Sequence, residues 1–415
     1  MTKPFLLFRG PIETVSGYGA HSRDLLWSLR EMDLFDIRID SCAWGSNPKF
    51  VFDKKNEFHN WMRVNIVNSL QSTPDVYVQV TVPNEFKPIG KVNIGVTAGI
   101  ETTAAPKSWV DGCNNMDLII VTSNFSRDVL LQTVYNETDK VTGKMIKQHR
   151  ITKPIRVLFE GVDTDVYTNK YTGIDIDIKE DFAYLFVGHW LKGDMGQDRK
   201  DVGMLIKTFS ETFKDSEDQP ALVLKTSSAT FSVRERERFI KKIREIVKGI
   251  ENPAPIYLLF GELTDKEMNE LYNHPRIKAM VTLTKGEGFG RPLLEFSMTG
   301  KPIIASNWSG HKDFLPMDKA IMLAGSITDV HESATDDFII KGSKWFTAKY
   351  DEAAEVMSIV KRDYDEFYEK AQTLMDENRE KFSMIKMKEA FEEMISPYVN
   401  KPKEVKINIP QLTKL

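Results

Sequence analysis

The fold is indicated most clearly by the stretch Thr284-Lys-Gly-Glu-Gly-Phe-Gly-Arg-Pro-Leu-Leu-Glu-Phe-Ser-Met-Thr-Gly-Lys-Pro-Ile-Ile-Ala-Ser306. An apolar run at Ala279–Leu283 lies immediately before it and predicts a strand. A turn with three glycines follows, and Pro292 lies where the first residue of a helix is expected, because its fixed φ suits a helix start. The backbone N–H groups at Gly288–Arg291 should then lie at a helix N-terminus, which favours binding of an anion such as a diphosphate.

The rest of the chain alternates short apolar runs with amphipathic stretches, which is typical of βαβ units and parallel sheets. The predicted strands are Pro4–Phe8, Asp36–Ser41, Val76–Val80, Val92–Thr97, Leu118–Thr122, Ile155–Phe159, Tyr184–Val187, Ala221–Thr226, Ile256–Phe260, Ala279–Leu283, Pro302–Ser306 and Ala320–Leu323. The predicted helices are Ala20–Glu31, Ser126–Val134, Gly203–Phe213, Val233–Val247, Asp265–Tyr272 and Pro292–Thr299, with one more from Asp351 almost to Pro397. We interpret the polar stretch Tyr167–Asp181, which has few large apolar residues, as an interdomain linker. A chain of 415 residues is long enough for two domains.

Composition excludes several classes of protein. The net charge of −4 demands neither a nucleic-acid nor a membrane partner. The two cysteines, Cys42 and Cys113, cannot form a disulfide framework or a four-thiolate zinc site, and they favour a reducing compartment. No apolar run approaches the ~18 residues of a spanning helix. We therefore expect a cytoplasmic protein without stable membrane insertion.

Two carboxylates belong to the glycine-rich stretch. Glu287 is expected in the turn and Glu295 one turn inside the helix. Each carboxylate oxygen can accept a hydrogen bond from one member of a vicinal diol, so the pair suits recognition of sugars. The alternative is an ordinary strand–turn–helix with two solvated acids.

The strings Glu287-Gly-Phe-Gly-Arg-Pro-Leu-Leu-Glu295 and Gly300-Lys-Pro-Ile-Ile-Ala-Ser306 resemble the signature of retaining GT-B glycosyltransferases of the glycosyltransferase family 4 type. The resemblance implies an α/β fold with two Rossmann-like parallel-sheet domains facing a cleft. It implies that Glu287 contacts the donor sugar and that Glu295 holds the ribose hydroxyls of the nucleotide. It also implies that the sugar and phosphates are surrounded by the main-chain groups of Gly288, Phe289 and Gly290.

The resemblance covers the whole chain, strongly over 184–325, moderately over 90–165 and weakly over the first 90 residues. It implies an acceptor-side domain at 1–168 and a nucleotide-sugar-binding domain at 169–388. In this fold the last helix crosses back, so about 389–415 is assigned to the first domain.

The second domain should also supply cations. Val187-Gly-His189, followed by Arg199 and Lys200, resembles a βα unit in which a lysine neutralises the donor diphosphate, and Lys200 takes that role. The family often has an arginine directly after that glycine, where this chain has His189 and an extra polar loop. Arg199 and Lys225, which ends a predicted strand and should face the cleft, are candidates for the second cation. A surface or structural role is the alternative for both.

The first domain contributes two further candidates. The loop Val15-Ser-Gly17-Tyr-Gly19-Ala-His21 follows the first predicted strand, and Gly17 and Gly19 would let the backbone approach a ligand closely. The resemblance places this loop opposite the donor. Many members have a cleft histidine near the position of Glu101, which is therefore a candidate acceptor-side or catalytic carboxylate.

The resemblance implies transfer of a hexose or pentose with retention of configuration. No protein nucleophile is evident, so Lys200 and the helix N-terminus would stabilise the departing diphosphate. The Asp-x-Asp pairs, Asp163-Thr-Asp165 and Asp175-Ile-Asp177, fall at the linker and not at a strand end. We therefore expect no metal and no cofactor besides a UDP- or GDP-linked donor. The alternatives are a phosphorylase or epimerase, a nucleotide-sugar-binding protein without turnover, and a transferase that glycosylates a modified nucleic-acid base.

A basic segment runs from Lys140 to Arg156, with six cations, His149 and no acid in seventeen residues. Such a segment on the acceptor side indicates a polyanionic acceptor: a nucleic acid, an anionic lipid surface or a phosphorylated glycan. Among these we favour a nucleic acid, because no amphipathic helix with exposed aromatics stands out. The alternative is a solvated loop between Tyr135 and Pro154.

Overall fold

A computed structural model of the protein describes residues 3–228 and 231–399. Its strands are β1 (Phe5–Gly10), β2 (Asp36–Ser41), β3 (Val76–Val80), β4 (Val92–Thr97), β5 (Leu118–Val121), β6 (Tyr135–Thr138), β7 (Met145–His149), β8 (Ile155–Val157), β9 (Ala183–His189), β10 (Ala221–Ser227), β11 (Ile256–Leu259), β12 (Ile277–Val281), β13 (Ile303–Ser306), β14 (Ile321–Leu323), β15 (Gly325–Asp329) and β16 (Lys344–Ala348). Its α-helices are α1 (Gly17–Met32), α2 (Glu57–Asn65), α3 (Lys107–Cys113), α4 (Asn124–Gln132), α5 (Val202–Phe213), α6 (Val233–Val247), α7 (Asp265–Asn273), α8 (Arg291–Ser297), α9 (Tyr350–Arg362), α10 (Tyr364–Lys381) and α11 (Met384–Val399).

Twelve of these strands form two six-stranded parallel sheets. The first sheet has the order β2-β1-β3-β4-β5-β8 and the second the order β11-β10-β9-β12-β13-β14. Strand order reverses between β1 and β3 in the first sheet and between β9 and β12 in the second. Ligands of open α/β sheets bind at the carboxyl ends of the strands at such reversal points. The loops that follow β9 and β12 are therefore the place to look for a site.

The strands form where the sequence has short runs that are buried on both faces. All five residues of β3 and all four of β5 are buried, as expected for central strands covered by helices. Helix starts follow from local chemistry. Ser16 caps α1 by accepting a hydrogen bond from the N–H of Gly19, and Thr264 forms a capping box with Glu267 at α7. The twelve predicted strands are all present, with ends that differ by at most two residues.

The last described helix packs on the first sheet. Met387, Phe391 and Ile395 of α11 are buried in the same core as Leu25 and Leu29 of α1. The end of the segment assigned to the first domain, residues 400–415, lies outside the described residues.

The segment between the sheets, Tyr167–Asp181, which we interpret from the sequence as an interdomain linker, is docked on the second domain. Tyr167 and Ile178 are buried in the core of that domain. The N–H of Thr168 donates to Asn269 Oδ1 of α7 at 2.9 Å. A few apolar side chains in this polar stretch are enough to hold it to the second domain.

Several elements were missed or wrongly predicted from the sequence. The loop expected between Tyr135 and Pro154 contains the antiparallel hairpin β6–β7, and a second hairpin, β15–β16, was not predicted. Helices α2 and α3 were not predicted. The single helix expected from Asp351 is three helices, which break at Asp363 and at Phe382–Ser383.

Candidate active site

Two loops of the second domain lie side by side at the strand-order reversal. The loop after β9 carries Arg199 and Lys200, and the loop after β12 carries Glu287. The two loops are joined by a hydrogen bond from the N–H of Lys285 to the carbonyl of Arg199, 2.7 Å long. They are also joined by the ion pair of Lys285 Nζ with Asp201 Oδ2, at 3.1 Å, whose side chains are 1% and 0% exposed.

This buried pair explains how the loops are held. Asp201 has a positive φ of 53° at the start of α5, and its Oδ2 also accepts a hydrogen bond from Tyr350 Oη at 2.7 Å. Breaking a buried ion pair costs several kcal/mol, about 3–5, because the remaining charge is left without compensation. Lys285, Asp201 and Tyr350 were not among the predicted site residues. The sequence gives one signal for two of them: Asp201 directly follows Lys200, and Lys285 lies two residues before Glu287.

Two predicted cations and two predicted carboxylates meet in the cleft. Lys200 Nζ donates to Glu287 Oε1. Arg199 Nη1 donates to the carbonyl of Gly286 at 2.9 Å and lies 3.4 Å from Glu287 Oε2. The same nitrogen is 3.7 Å from Glu101 Oε1, on the first domain. Four residues predicted from three separate parts of the sequence thus form one charged cluster.

The cluster fixes the protonation of its members. Burial opposes ionisation of Glu287, but Lys200 and Arg199 outweigh it and lower the pKa of this carboxyl to about 2. Burial lowers the pKa of Lys200, against the attraction of Glu287. Burial raises the pKa of Glu101, and Arg199 opposes that shift. At neutral pH, Glu287 is therefore a carboxylate matched to two cations.

The glycine-rich turn packs directly against the first domain. A Cβ on Gly286 would lie 2.1 Å from the carbonyl oxygen of Glu101, and one on Gly288 would lie 2.2 Å from that of Ala98. Ser123 Oγ donates to the carbonyl of Gly288 at 2.6 Å. Only glycine permits this approach, so two of the three glycines in the turn are required by contact between the domains.

The end of the turn starts α8. Gly290 has a φ of 99° as the residue before the helix, and the side chain of Phe289 is buried against Phe314 in the core. His311 lies behind Gly290 and was not predicted from the sequence. It is fully buried, and its Nε2 lies 2.7 Å from the carbonyl of Ser306.

Glu295 lies in α8 with protein partners on both carboxylate oxygens. Arg291 Nε donates to Oε1 at 2.8 Å, and Tyr272 Oη donates to Oε2 at 3.2 Å. Arg291 also donates to Asp24 of α1 and lies 3.8 Å from Glu160. We call these four, Arg291, Asp24, Glu160 and Glu295, the arginine bridge.

Burial makes ionisation costly in the arginine bridge. It raises the pKa of Glu295 to about 7 and that of Glu160 to about 7, with Arg291 opposing both shifts. Burial also raises the pKa of Asp24. Glu160 is thus buried beside the same guanidinium as the predicted ribose-binding carboxylate.

The remaining predicted residues have local explanations. Lys225 does not end β10 but lies within it, and its Nζ donates to the carbonyl of Gly261 at 2.7 Å. Gly19 is required inside the first domain, since a Cβ there would lie 2.2 Å from the carbonyl oxygen of Thr14. Gly17 is different, because a Cβ there would meet no atom within 4 Å.

Within residues 3–228 and 231–399, no group of three or more His, Cys, Asp or Glu side chains is arranged to hold a metal ion. In the same residues, no helix is long and apolar enough to cross a membrane.

A comparison with protein-family models finds no match, and a comparison with curated proteins finds none. Solved structures do match. A glycosyltransferase from Rickettsia africae ESF-5 has a TM-score of 0.59 at 14% identity, over 97% of this chain and 100% of that one. HepE from Anabaena, solved with UDP-glucose, has a TM-score of 0.60 at 12% identity, over 95% of this chain and 100% of that one. Sucrose-phosphate synthase from Thermosynechococcus elongatus has a TM-score of 0.60 at 12% identity, over 95% of this chain and 99% of that one.

These similarities confirm the predicted fold class: two Rossmann-like parallel-sheet domains facing a cleft, as in GT-B glycosyltransferases.

Proposed function

We propose that this protein is a glycosyltransferase that moves a sugar from a nucleotide diphosphate sugar to a hydroxyl acceptor. The observation that carries the proposal is the cluster of Arg199, Lys200 and Glu287 at the strand-order reversal of the second sheet, facing Glu101 of the first domain. A GT-B fold with two cations and a carboxylate at this point suits a negatively charged leaving group next to a polyhydroxyl substrate.

Lys200 and Glu287 neutralise each other in the cleft. A bound diphosphate would take over Lys200 as its partner, because an anion with more than one charge attracts the ammonium more strongly than one carboxylate. Glu287 would then be free to accept hydrogen bonds from the sugar hydroxyls. Arg199 is within reach of the same carboxylate and supplies the second positive charge.

Glu295 is proposed to hold the ribose hydroxyls. Both of its oxygens already accept hydrogen bonds, from Arg291 and Tyr272, so ribose has to displace or share one of them. The UDP-glucose in the similar HepE structure supports a uridine nucleotide, with a GDP-linked donor as the alternative.

Transfer is proposed to retain the anomeric configuration. The acceptor hydroxyl would attack on the face that the diphosphate leaves, with Glu101 on the acceptor side. We also propose that no metal ion is required, since the chain itself provides two cations beside the leaving group. Both cysteines, Cys42 and Cys113, are free, which supports a cytoplasmic location.

Mass spectrometry with a panel of UDP- and GDP-linked hexoses and pentoses tests the proposal. The expected result is release of nucleoside diphosphate from one donor, with the sugar transferred to water or to an added hydroxyl compound. An epimerase would change the sugar without releasing nucleotide, and a phosphorylase would need free phosphate. A binding protein would protect one donor against thermal unfolding without turnover. Any of these three results would replace the proposal.

A further inference from the structure

The hairpin β6–β7, with its turn, is an isolated two-stranded ribbon that belongs to neither six-stranded sheet. Its hydrogen bonds to the rest of the described first domain lie at one end. Tyr135 Oη donates to the carbonyl of Ala105 at 2.6 Å, and the buried ring of His149 lies 3.1 Å from both Asp111 Oδ1 and Glu137 Oε2. Every residue from 140 to 148 is exposed. We call residues 140–148 the free end of the ribbon.

Large apolar side chains are exposed at the free end. Val141 is 93% exposed, Met145 63% and Ile146 62%. Leu131 and Val134, just before the ribbon, are exposed as well. Single exposed apolar residues are ordinary, but a group of them marks a contact surface. An isolated two-stranded ribbon is at best marginally stable in water. Because these apolar side chains remain exposed to water, they contribute little to its stability.

Lysines surround these apolar side chains. Lys140, Lys144 and Lys147 are exposed at the free end. Residues 140–148 contain no acid, but two acids flank them. Asp139 Oδ1 accepts hydrogen bonds from the N–H groups of Val141 at 2.9 Å and Thr142 at 2.6 Å, and Glu137 lies opposite Lys147 in the ribbon. The free end therefore combines positive charge with aliphatic surface.

The geometry points to docking of this ribbon on an anionic lipid surface. Lysines bind anionic headgroups, and aliphatic side chains beside them enter the boundary between headgroups and acyl chains. A nucleic acid fits less well, because residues 136–148 contain neither an aromatic side chain that could stack on bases nor an arginine. A second copy of the chain fits less well, because it would bring the same lysines face to face.

The ribbon is connected to the cleft by α4. The N–H of Asn124, at the first residue of α4, donates to Asp313 Oδ2 of the second domain at 2.8 Å. The nine residues of α4 span about 13 Å, and the ribbon begins three residues after the helix ends. A docked ribbon therefore holds the acceptor side of the cleft close to the lipid surface.

Sedimentation with vesicles tests the docking without any need for activity. The full chain is mixed with vesicles of phosphatidylcholine alone or of phosphatidylcholine with phosphatidylserine, and only the second should carry it down. Lys140→Ala/Lys144→Ala/Lys147→Ala should weaken binding about fivefold per lysine. Met145→Ser/Ile146→Ser should weaken it about tenfold or more. Matched controls at exposed sites elsewhere are Lys54→Ala/Lys179→Ala/Lys241→Ala and Val51→Ser/Val233→Ser, which should bind like the parent.

A probe reports whether the free end enters the lipid. An environment-sensitive fluorophore on Val141→Cys, in a Cys42→Ser background, should brighten and shift to the blue with phosphatidylserine vesicles. The same label on Val51→Cys should not respond. Ribbon variants that bind vesicles like their controls, or a label at 141 that stays in water, would overturn the inference. So would loss of binding to duplex DNA, or loss of self-association in sedimentation velocity, in variants whose vesicle binding is unchanged.

Discussion

Arg291, at the start of α8 in the second domain, donates to the carboxylate of Asp24 in α1 of the first domain. The two residues are 267 positions apart in the chain, and both side chains are mostly buried. Arg291 also donates to Glu295, the proposed ribose ligand. Contact between the domains and the availability of the proposed nucleotide site are therefore connected through one guanidinium.

Asp24→Asn should open the cleft. A hydrogen bond between charged groups is worth about 1.5–3 kcal/mol. The ratio of closed to open molecules should therefore fall by a factor of about ten or more. Small-angle scattering without donor should give a larger radius of gyration than the parent, and a saturating nucleotide sugar should reduce it. Asp36→Asn, which removes one partner of an exposed ion pair with Arg38, is the control. An unchanged radius in Asp24→Asn would mean that the arginine bridge does not hold the domains together.

Lys200→Ala should reduce turnover by roughly two orders of magnitude or more, because the leaving diphosphate loses its nearest cation. It should also lower the free energy of unfolding by about 1.5–3 kcal/mol, because Glu287 loses its hydrogen bond to one cation and keeps Arg199 as the other. The double variant Lys200→Ala/Glu287→Gln should recover much of the stability and none of the activity. Urea unfolding and donor turnover check this, with Lys207→Ala as the exposed control. Equal stability of the single and double variants would contradict the pairing.

Removing each of the two carboxylates of the glycine-rich stretch should affect a different step, nucleotide binding or turnover. Glu295→Ala should mainly weaken nucleotide binding, and Glu287→Ala should mainly lower turnover. Each loss should be about ten- to a hundredfold, the value of a charged hydrogen bond. Titration calorimetry with nucleoside diphosphate and turnover at saturating donor distinguish the two, and Glu245→Gln on α6 serves as the control. If Glu287→Ala keeps turnover within about twofold of the parent, its role at the donor sugar is wrong.

Stability should fall as pH rises from about 4.5 to 7 through the contribution of the arginine bridge. The pKa of Glu160 and that of Glu295 are raised by burial to about 7, so the folded state holds protons that the unfolded state has already released. Each such proton contributes a slope of about 1.4 kcal/mol per pH unit. Glu160→Gln should flatten the dependence measured by urea unfolding, whereas exposed Glu369→Gln should not. A profile for Glu160→Gln that parallels the parent's would show that Glu160 does not take up this proton.

Turnover should persist in EDTA, because Arg199 and Lys200 supply the positive charge at the leaving group. The measurement compares initial rates before and after dialysis against chelator. Complete loss of activity, restored by Mn²⁺ or Mg²⁺, would refute the metal-free mechanism.

Much of the fold follows from local patterns. Strands such as β3 and β5 are short apolar runs between amphipathic stretches, and a central strand of a parallel sheet has no polar face to obscure it. The strands of β6–β7 lack this signal, because Asn136, Glu137, Lys147 and Gln148 face water and their pairing buries almost nothing. Exposed ribbons of this kind leave no periodic pattern in the sequence.

Some contacts of the candidate site can likewise be predicted from the sequence, and others cannot. Lys200 and Glu287 can be placed together from topology, since they follow strands that pair directly, β9 and β12. The arginine bridge cannot, because Asp24 meets Arg291 only through the relative position of two separately folded sheets. Nor can the buried pair of Lys285 and Asp201, since charged residues next to a motif are ordinarily solvated.

Helix α11 supplies Met387, Phe391 and Ile395 to the core of the first sheet, although the last strand of that sheet, β8, ends at Val157. On the ribosome, the whole second domain emerges before this core can close. At about 5–20 residues per second, the delay between β8 and α11 is roughly 10–45 s. During that time the nascent first domain exposes the apolar face of α1, so we expect it to be a chaperone client until translation reaches α11.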